Sequence, residues 1–215
     1  LEELINKQHY FDRKYLRRER LFSFIEQIEL IKKFTAPEDN LLEIGVGNGF
    51  INLFVKNMLG MKYASVDINA SLQPDIVDDI SQPKVLKPKT YDVVCCFEVL
   101  EHLPIEQSRL AVTNMLEIAR NYVLLSVPDM RYFIRLSTTV FGTLPLSLGK
   151  LISFPRIRRR ENTFGADHVW EIGIRKSGIR YNPDYVSKML FENKTLIRDY
   201  RCAEVPWHHF YVVKA

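Results

Sequence analysis

The chain has 215 residues, of which 47% are hydrophobic and 26% charged, with 30 lysines and arginines against 26 acids. That length holds one domain with a sizeable core, and that balance excludes a disordered or fibrous chain. A net charge of +4 is too mild to imply nucleic acid by itself, and no uncharged apolar run reaches the roughly 18–20 residues that a membrane span needs.

Residues 12–34 read as an amphipathic helix, with Leu21, Phe24, Ile28 and Ile31 at helical spacing and Thr35-Ala36-Pro37 to end it. Leu41–Ile44 is a buried strand that carries an acid, Glu43, and runs into Gly45-Val46-Gly47-Asn48-Gly49. Three glycines at alternate positions let the backbone turn sharply and let a ligand approach it. The spacing is G-x-G-x-G, not the G-x-G-x-x-G of dinucleotide binders. A helical pattern follows through Leu53, Phe54 and Met58. Tyr63–Asp67 is a second strand ending in an acid, where open parallel sheets commonly hold ribose hydroxyls. Pro74–Ile80 is a third piece with Asp78 and Asp79 at its end, and Tyr91–Pro104 is a fourth strand running into the polar segment Glu98-Val99-Leu100-Glu101-His102.

A helix over 106–119, with Leu110, Met115, Leu116 and Ile118 on its buried face, leads to a fifth strand, Tyr122–Val127, stopped by Pro128. Cys95 and Cys96 are adjacent in a buried strand, where packing explains them better than redox chemistry. With only three cysteines, no disulfide framework is implied, and a reducing cytoplasm is the expected compartment. Segment 130–180 breaks the strand–helix rhythm and reads as an insertion. The last helix is expected over 184–192, capped by Asn182 or Pro183-Asp184. Residues 195–200 and 208–213 look like a closing pair of strands.

The motifs EIGVGNG, the acid at Asp67, Asp78-Asp79-Ile80 and YDVVCCFEVLEHLP, in this order, resemble the class I S-adenosylmethionine-dependent methyltransferases, close to the ubiquinone-biosynthesis-like or type 11 group. The resemblance covers roughly residues 40–129. It implies an α/β, Rossmann-like fold with a seven-stranded, mostly parallel sheet, an antiparallel last strand and helices on both faces. It also implies one domain, divided into an N-terminal helical cover (1–36), a cofactor-binding core (40–129), an acceptor-side insertion or cap (130–180), and the last helix and closing strands (181–215). The implied cofactor is S-adenosyl-L-methionine. Gly45, Gly47 and Gly49 would shape the loop around its methionine part, with Glu43 near its ammonium or the loop amides. Asp67, with Ile68 beside it, would take the ribose hydroxyls. Asp79 would meet the adenine amino group, with the amide and side chain of Ile80 beside the ring. Phe97 and Glu98 would line the methionyl side.

Methyl transfer from a sulfonium is an in-line displacement that needs mainly alignment and sometimes proton removal. Glu101, His102, Asp129 and His168 are the candidates beyond the strand ends, with Glu101, His102 and His168 the expected catalytic set and His102 read chiefly as a positioning group. The leading expectation needs no metal. One alternative does: E-x-x-E-H followed by Asp167-His168 is also similar to the small-RNA 3′-terminal 2′-O-methyltransferases, in which Glu98, Glu101, His102 and His168 would hold a divalent ion. Another alternative is a non-catalytic binding protein on the same fold. His208-His209 chelates poorly, since neighbours on a strand face opposite ways, and Trp170 and Trp207 are expected to pack inside. Residues 130–160 carry seven basic side chains (Arg131, Arg135, Lys150, Arg156, Arg158, Arg159 and Arg160) and no acid. With Phe133, Phe141 and Phe154 they suggest a cap that selects a small-molecule or lipid-linked, anionic acceptor. Peripheral membrane contact stays open, and nucleic acid is the weaker partner.

Overall fold

The computed structural model describes residues 7–13, 15–140, 146–154 and 168–215. Two helices open the chain, α1 (Lys7–Phe11) and α2 (Arg18–Phe34). The central sheet is built from β1 (Asn40–Ile44), β2 (Lys62–Asp67), β3 (Ile76–Val77), β4 (Tyr91–Phe97) and β5 (Ala119–Pro128). Helix α3 (Phe50–Phe54), continued by a wider π turn at Val55–Leu59, follows β1, and α4 (Ile105–Ile118) follows β4. A hairpin of β6 (Tyr132–Val140) and β7 (Leu146–Phe154) comes next, then the two-residue strands β8 (Arg175–Lys176) and β9 (Ile179–Arg180). Helix α5 (Pro183–Phe191) and strands β10 (Thr195–Arg201) and β11 (His208–Lys214) close the fold.

The sheet order is β10-β11-β5-β4-β1-β2-β3, seven strands in all. Neighbours from β3 to β5 pair in parallel, and β11 runs antiparallel to both β5 and β10. This is the Rossmann-like sheet expected, with its antiparallel last strand. Because successive strand residues face opposite sides, Cys95 packs into the layer under α2 and α3, and Cys96 into the layer under α4 and α5. Both are fully buried, and burial pushes both thiols far above their ordinary range.

Two amphipathic faces differ from the pattern read in the sequence. Helix α2 starts at Arg18 rather than 12, without a side-chain cap, and it buries Ser23, Phe24, Gln27, Ile28, Leu30 and Ile31. Leu21 is 41% exposed. Two polar residues occupy the buried stripe, which a purely apolar count misses. On α4 the buried face is Ile105, Ser108, Ala111, Val112, Met115, Leu116 and Ile118. Leu110 lies five residues past Ile105, off that face, and is 51% exposed. Helix α5 begins as expected: the Asn182 side chain accepts from the Tyr185 amide at 2.8 Å, and Pro183 stands in the first turn.

Asp129 is not a crevice residue, as its position past β5 suggested, but the anchor of the C-terminal half. Its carboxylate is 1% exposed. It accepts from Arg131 at 2.6–3.1 Å, stands 3.2 Å from His209 Nδ1 and 3.4 Å from Arg201 Nε. His209 Nε2 turns the other way, 2.6 Å from Asp199 Oδ1. Arg201 reaches on to Ser153 Oγ at 2.8 Å and the Arg131 carbonyl at 2.8 Å, so the root of the β6–β7 hairpin is tied to β10. Beyond that root, Tyr132, Phe133, Ile134, Ile152 and Phe154 are all more than a third exposed. The acid-free basic stretch is described only in part: Arg156, Arg158, Arg159 and Arg160, like Phe141, lie outside the described residues.

Burial alone would raise the Asp129 carboxyl, but His209, Arg131 and Arg201 more than offset it and hold it below its usual range. Burial alone would lower His209, and Asp129 and Asp199 reverse that. The Asp129 contribution is therefore present above the ordinary carboxyl range and lost as pH falls through the depressed value. The His209 contribution is complete below about 6.5, the ordinary histidine value, and is lost as pH rises through the elevated one. Asp129→Asn should lower unfolding free energy by about 3–5 kcal/mol in urea, because it strands buried cations. It should also flatten both the acid and the alkaline limb of stability against pH; an unchanged profile would show that the cluster contributes nothing.

Candidate functional site

The crevice lies where β1 and β4 part company. The chain leaving β1 packs through α3 on one face of the sheet, and the chain leaving β4 packs through α4 on the other. In open α/β sheets ligands bind outside the carboxyl ends of the strands at such a switch point.

The glycine turn sits at the end of β1 with all three residues in the left-handed region: Gly45 at φ 85°, Gly47 at 53° and Gly49 at 74°. At Gly45 the constraint is double, since an added Cβ would lie 2.4 Å from Val99 Cγ2. A Cβ on Gly47 would meet the Tyr10 ring at 3.8 Å, so the N-terminal segment passes over the turn. Tyr15 belongs to the same cover. Burial raises its hydroxyl, moderated by Arg20, with Glu98 and Glu43 close enough to add to it.

Glu43 is 5% exposed and accepts a hydrogen bond from the Tyr63 hydroxyl, on the neighbouring strand β2. Burial pushes its carboxyl up to about 8; Tyr63 opposes this and the nearby Asp67 charge adds to it. A buried acid in that condition suits a cationic group. At the end of β2, Asp67 receives the Val46 amide at 2.9 Å on one oxygen and the Asn69 amide at 2.8 Å on the other. Each carboxylate oxygen has a second acceptor site, so the same side chain that ties the glycine loop to β2 can still take hydroxyl donors. Ile68 beside it is 54% exposed.

After β3 the two acids divide their work. Asp78 is buried and caps the amides of Lys84 and Val85 at 2.9 Å each. Asp79, half-buried, holds the Ser81 amide and hydroxyl on Oδ1 at 2.8 and 2.7 Å. Ile80 differs from expectation: it is 6% exposed and its side chain belongs to the apolar core, which leaves only its backbone to border a ligand.

Glu98 follows Phe97 at the end of β4 with φ 57°, an unusual backbone for a residue with a Cβ. Its side chain does not line an open wall. Ser126 donates to Oε1 at 2.8 Å and His208 Nε2 stands 2.9 Å from Oε2. On the far side of that ring, His208 Nδ1 is 2.8 Å from Ser23 Oγ, and Gln27 donates to the same hydroxyl at 3.1 Å. Burial would raise the Glu98 carboxyl, but His208 and Ser126 hold it below its usual range. Sequence reasoning missed Tyr63, Ser126 and His208 as partners. The one available signal was polar residues at apolar-stripe positions, as with Ser23 and Gln27.

Past Glu98 a single 3₁₀ turn, Leu100–His102, carries Glu101 and His102. Segment 168–172 lies against it: the Val169 amide donates to the Glu101 carbonyl at 2.7 Å, and Trp170 Nε1 to the Leu103 carbonyl at 2.9 Å. Trp170 is thus an interior residue, as expected. The structure brings Glu101, His102 and His168 together, whereas the Glu98 carboxylate is taken up by Ser126 and His208. Among the described residues no helix is long and apolar enough to cross a membrane.

A family model described as "Methyltransferase domain" matches residues 11–167. The chain belongs to that family. It is an S-adenosylmethionine-dependent methyltransferase of class I. A methyltransferase of Aquifex aeolicus shares the fold at a TM-score of 0.60 and 12% identity, with 98% of this chain and 99% of that one covered. The glycopeptide N-methyltransferase MtfA, solved with S-adenosylmethionine, gives 0.57 at 15% identity over 87% and 92%. Magnesium protoporphyrin IX methyltransferase of Synechocystis PCC 6803 gives 0.53 at 13% identity over 99% and 85%. No curated protein matches the chain.

The residues present fit this cofactor. The buried carboxyl of Glu43 would suit its ammonium, and the glycine turn would give it backbone access. Asp67 ends β2 and Asp79 stands just past β3, where its hydroxyls and adenine amino group would need acceptors. Asp67→Ala should weaken S-adenosylhomocysteine more than tenfold in isothermal titration, since a charge-assisted hydrogen bond is worth about 1.5–3 kcal/mol. Unchanged affinity would remove Asp67 from the site. If the ammonium faces Glu43, titration near pH 7 in buffers of different ionisation heat should show proton release, because a carboxyl raised to about 8 is mostly protonated there. Glu43→Gln should abolish the release.

Proposed function

We propose that this methyltransferase acts on a small-molecule or lipid-linked acceptor admitted beside the β6–β7 hairpin. The observation that carries the reading is the hairpin's exposed apolar surface, Tyr132, Phe133, Ile134, Ile152 and Phe154, on a root held by Arg201. Exposed apolar groups of this size on an anchored element favour an apolar partner. Arg135, exposed at the same root, supplies positive charge and donates to the Ala203 carbonyl at 3.4 Å, whereas Arg131 is taken up by Asp129. Other members of the fold act on unlike acceptors, a glycopeptide and a porphyrin by their names, so the acceptor must be read from elements outside the cofactor crevice.

When bound, S-adenosylmethionine supplies an electrophilic methyl on a sulfonium. The protein's part is to align the acceptor with it and exclude water. Glu43, the glycine turn and Asp67 orient the cofactor side. The 3₁₀ turn carrying Glu101 and His102, with His168 across from it, borders the acceptor side.

The deciding experiment is transfer of label from methyl-radiolabelled cofactor into fractionated small-molecule, lipid and RNA acceptors. Label in the lipid or small-molecule fraction is expected; label confined to RNA would refute the reading. With that acceptor, Ile134→Ser combined with Phe154→Ser should raise KM at least severalfold. S-adenosylhomocysteine affinity and the urea midpoint should stay within error, since both side chains are largely exposed.

A further inference from the structure

Glu101, His102 and His168 each present a donor atom, and these atoms all lie within 4.8 Å of one another. Glu101 is 1% exposed and neither of its carboxylate oxygens takes a hydrogen bond. Leaving a buried polar group unmatched costs on the order of 1–3 kcal/mol, and more for a charge. Every other buried acid at this edge of the sheet has a hydrogen-bond partner: Glu43 has Tyr63, Glu98 has Ser126 and His208, Asp129 has its arginines, and Glu171 has His168.

His168 is oriented as a ligand would be. Its Nδ1 is 2.6 Å from Glu171 Oε1, so Nδ1 carries the hydrogen and Nε2 turns its lone pair toward Glu101. Nε2 and Glu101 Oε1 are 4.0 Å apart. That is too far for a hydrogen bond, while two donors at about 2.1 Å from one ion lie roughly 3.4 Å apart in a tetrahedral shell, so a small inward shift of the pair would close the site on an ion. A carboxylate behind a histidine is the usual support of a ligating imidazole. The His102 ring stands across from His168 at a centroid distance of 4.8 Å and 82°. Lys176 holds the His168 carbonyl at 2.7 Å, which adds to the Val169 and Trp170 bonds that fasten this strap.

We propose that Glu101, His102 and His168 bind one divalent first-row transition cation, whose open positions receive the acceptor's hydroxyl oxygen. Two imidazoles and one carboxylate suit zinc, manganese, iron(II) or cobalt(II) better than magnesium or calcium, which prefer all-oxygen shells. Three protein ligands leave room for substrate. The acceptor role rests on the methyltransferase reading, whereas cation binding stands without it. In the step, the metal-bound hydroxyl gives its proton to water. The resulting oxygen then forms a bond to the methyl carbon as the carbon–sulfur bond breaks, and that electron pair stays on sulfur as S-adenosylhomocysteine. This departs from the metal-free expectation drawn from the sequence and keeps three of the four ligands that its alternative named.

The test is titration of the chelator-stripped, full chain with Mn²⁺, Zn²⁺ or Co²⁺ alone, read by calorimetry and, for cobalt, by visible absorption. One equivalent should bind. His168→Ala and Glu101→Gln should each weaken it at least tenfold, and Glu171→Ala about 10–100-fold, the range for loss of a group that supports a ligand. All variants should keep S-adenosylhomocysteine affinity within about twofold in metal-free buffer, which reports that they fold. No binding by the unaltered chain overturns the proposal, as does equal affinity in a Glu101→Gln, His168→Ala double variant that still binds S-adenosylhomocysteine. Cation binding without S-adenosylhomocysteine binding would sink the methyltransferase reading and leave the cation site standing.

Discussion

The Asp129 carboxylate sits at the end of β5 among Arg131, Arg201 and His209, with almost no exposure. Those partners come from the hairpin root, β10 and β11, elements that share no local sequence signal. The residues on either side of Asp129 make the isolated bridge to Ile172, the Met130 amide donating to the Ile172 carbonyl and the Ile172 amide to the Pro128 carbonyl, which seats segment 168–172 beside β5. One buried acid with three cationic or protonatable partners thus ties the hairpin root to β10 and β11, immediately beside the strap that carries His168. The cost of burying that charge is offset only when all of them are in position, which ties separate elements to one geometry.

The other buried acids divide into settled and unsettled. Glu98 is settled: Ser126 and His208 hold its charge, and its left-handed backbone turns the chain from β4 into the crevice. Glu43 and Glu101 are unsettled, both pushed upward by burial. Glu43 lies near the end of β1, and Glu101 in the 3₁₀ turn just past β4, the strand beside it. A protein that leaves carboxyls in this state keeps binding energy in reserve for cationic ligands.

The strands were legible in the sequence because they are short apolar runs separated by turn chemistry and ended or followed by Gly45, Asp67, Asp79 or Glu98, whereas their order and the antiparallel last strand came from the family resemblance. The glycine turn and the acids, with the YDVVCCFEVLEHLP segment, carried the resemblance to the family. The helix faces were less legible. Ser23 and Gln27 on α2 are polar yet buried, because their partner is His208, 185 positions from Ser23. Leu21 and Leu110 are apolar yet exposed, and a count of apolar residues cannot distinguish the two cases. The pairing of Glu98 with His208 follows from β11 lying beside β5, a long-range fact that no local pattern contains. Ile80 shows the same limit at one residue: beside Asp79 in sequence, it faces the core in space.

The chain of contacts from Gln27 through Ser23 and His208 to Glu98 crosses from the cover helix to the crevice. It runs in one direction when His208 carries its hydrogen on Nε2: Gln27 donates to Ser23, Ser23 to His208, and His208 to Glu98. Each position is held to a donor or an acceptor by the next, so none can drift alone. Loss of the imidazole would leave Ser23 without its acceptor and Glu98 without its basic partner at one stroke. One ring thus couples the cover helix to the crevice, although no residue of α2 is close to Glu98 in the chain.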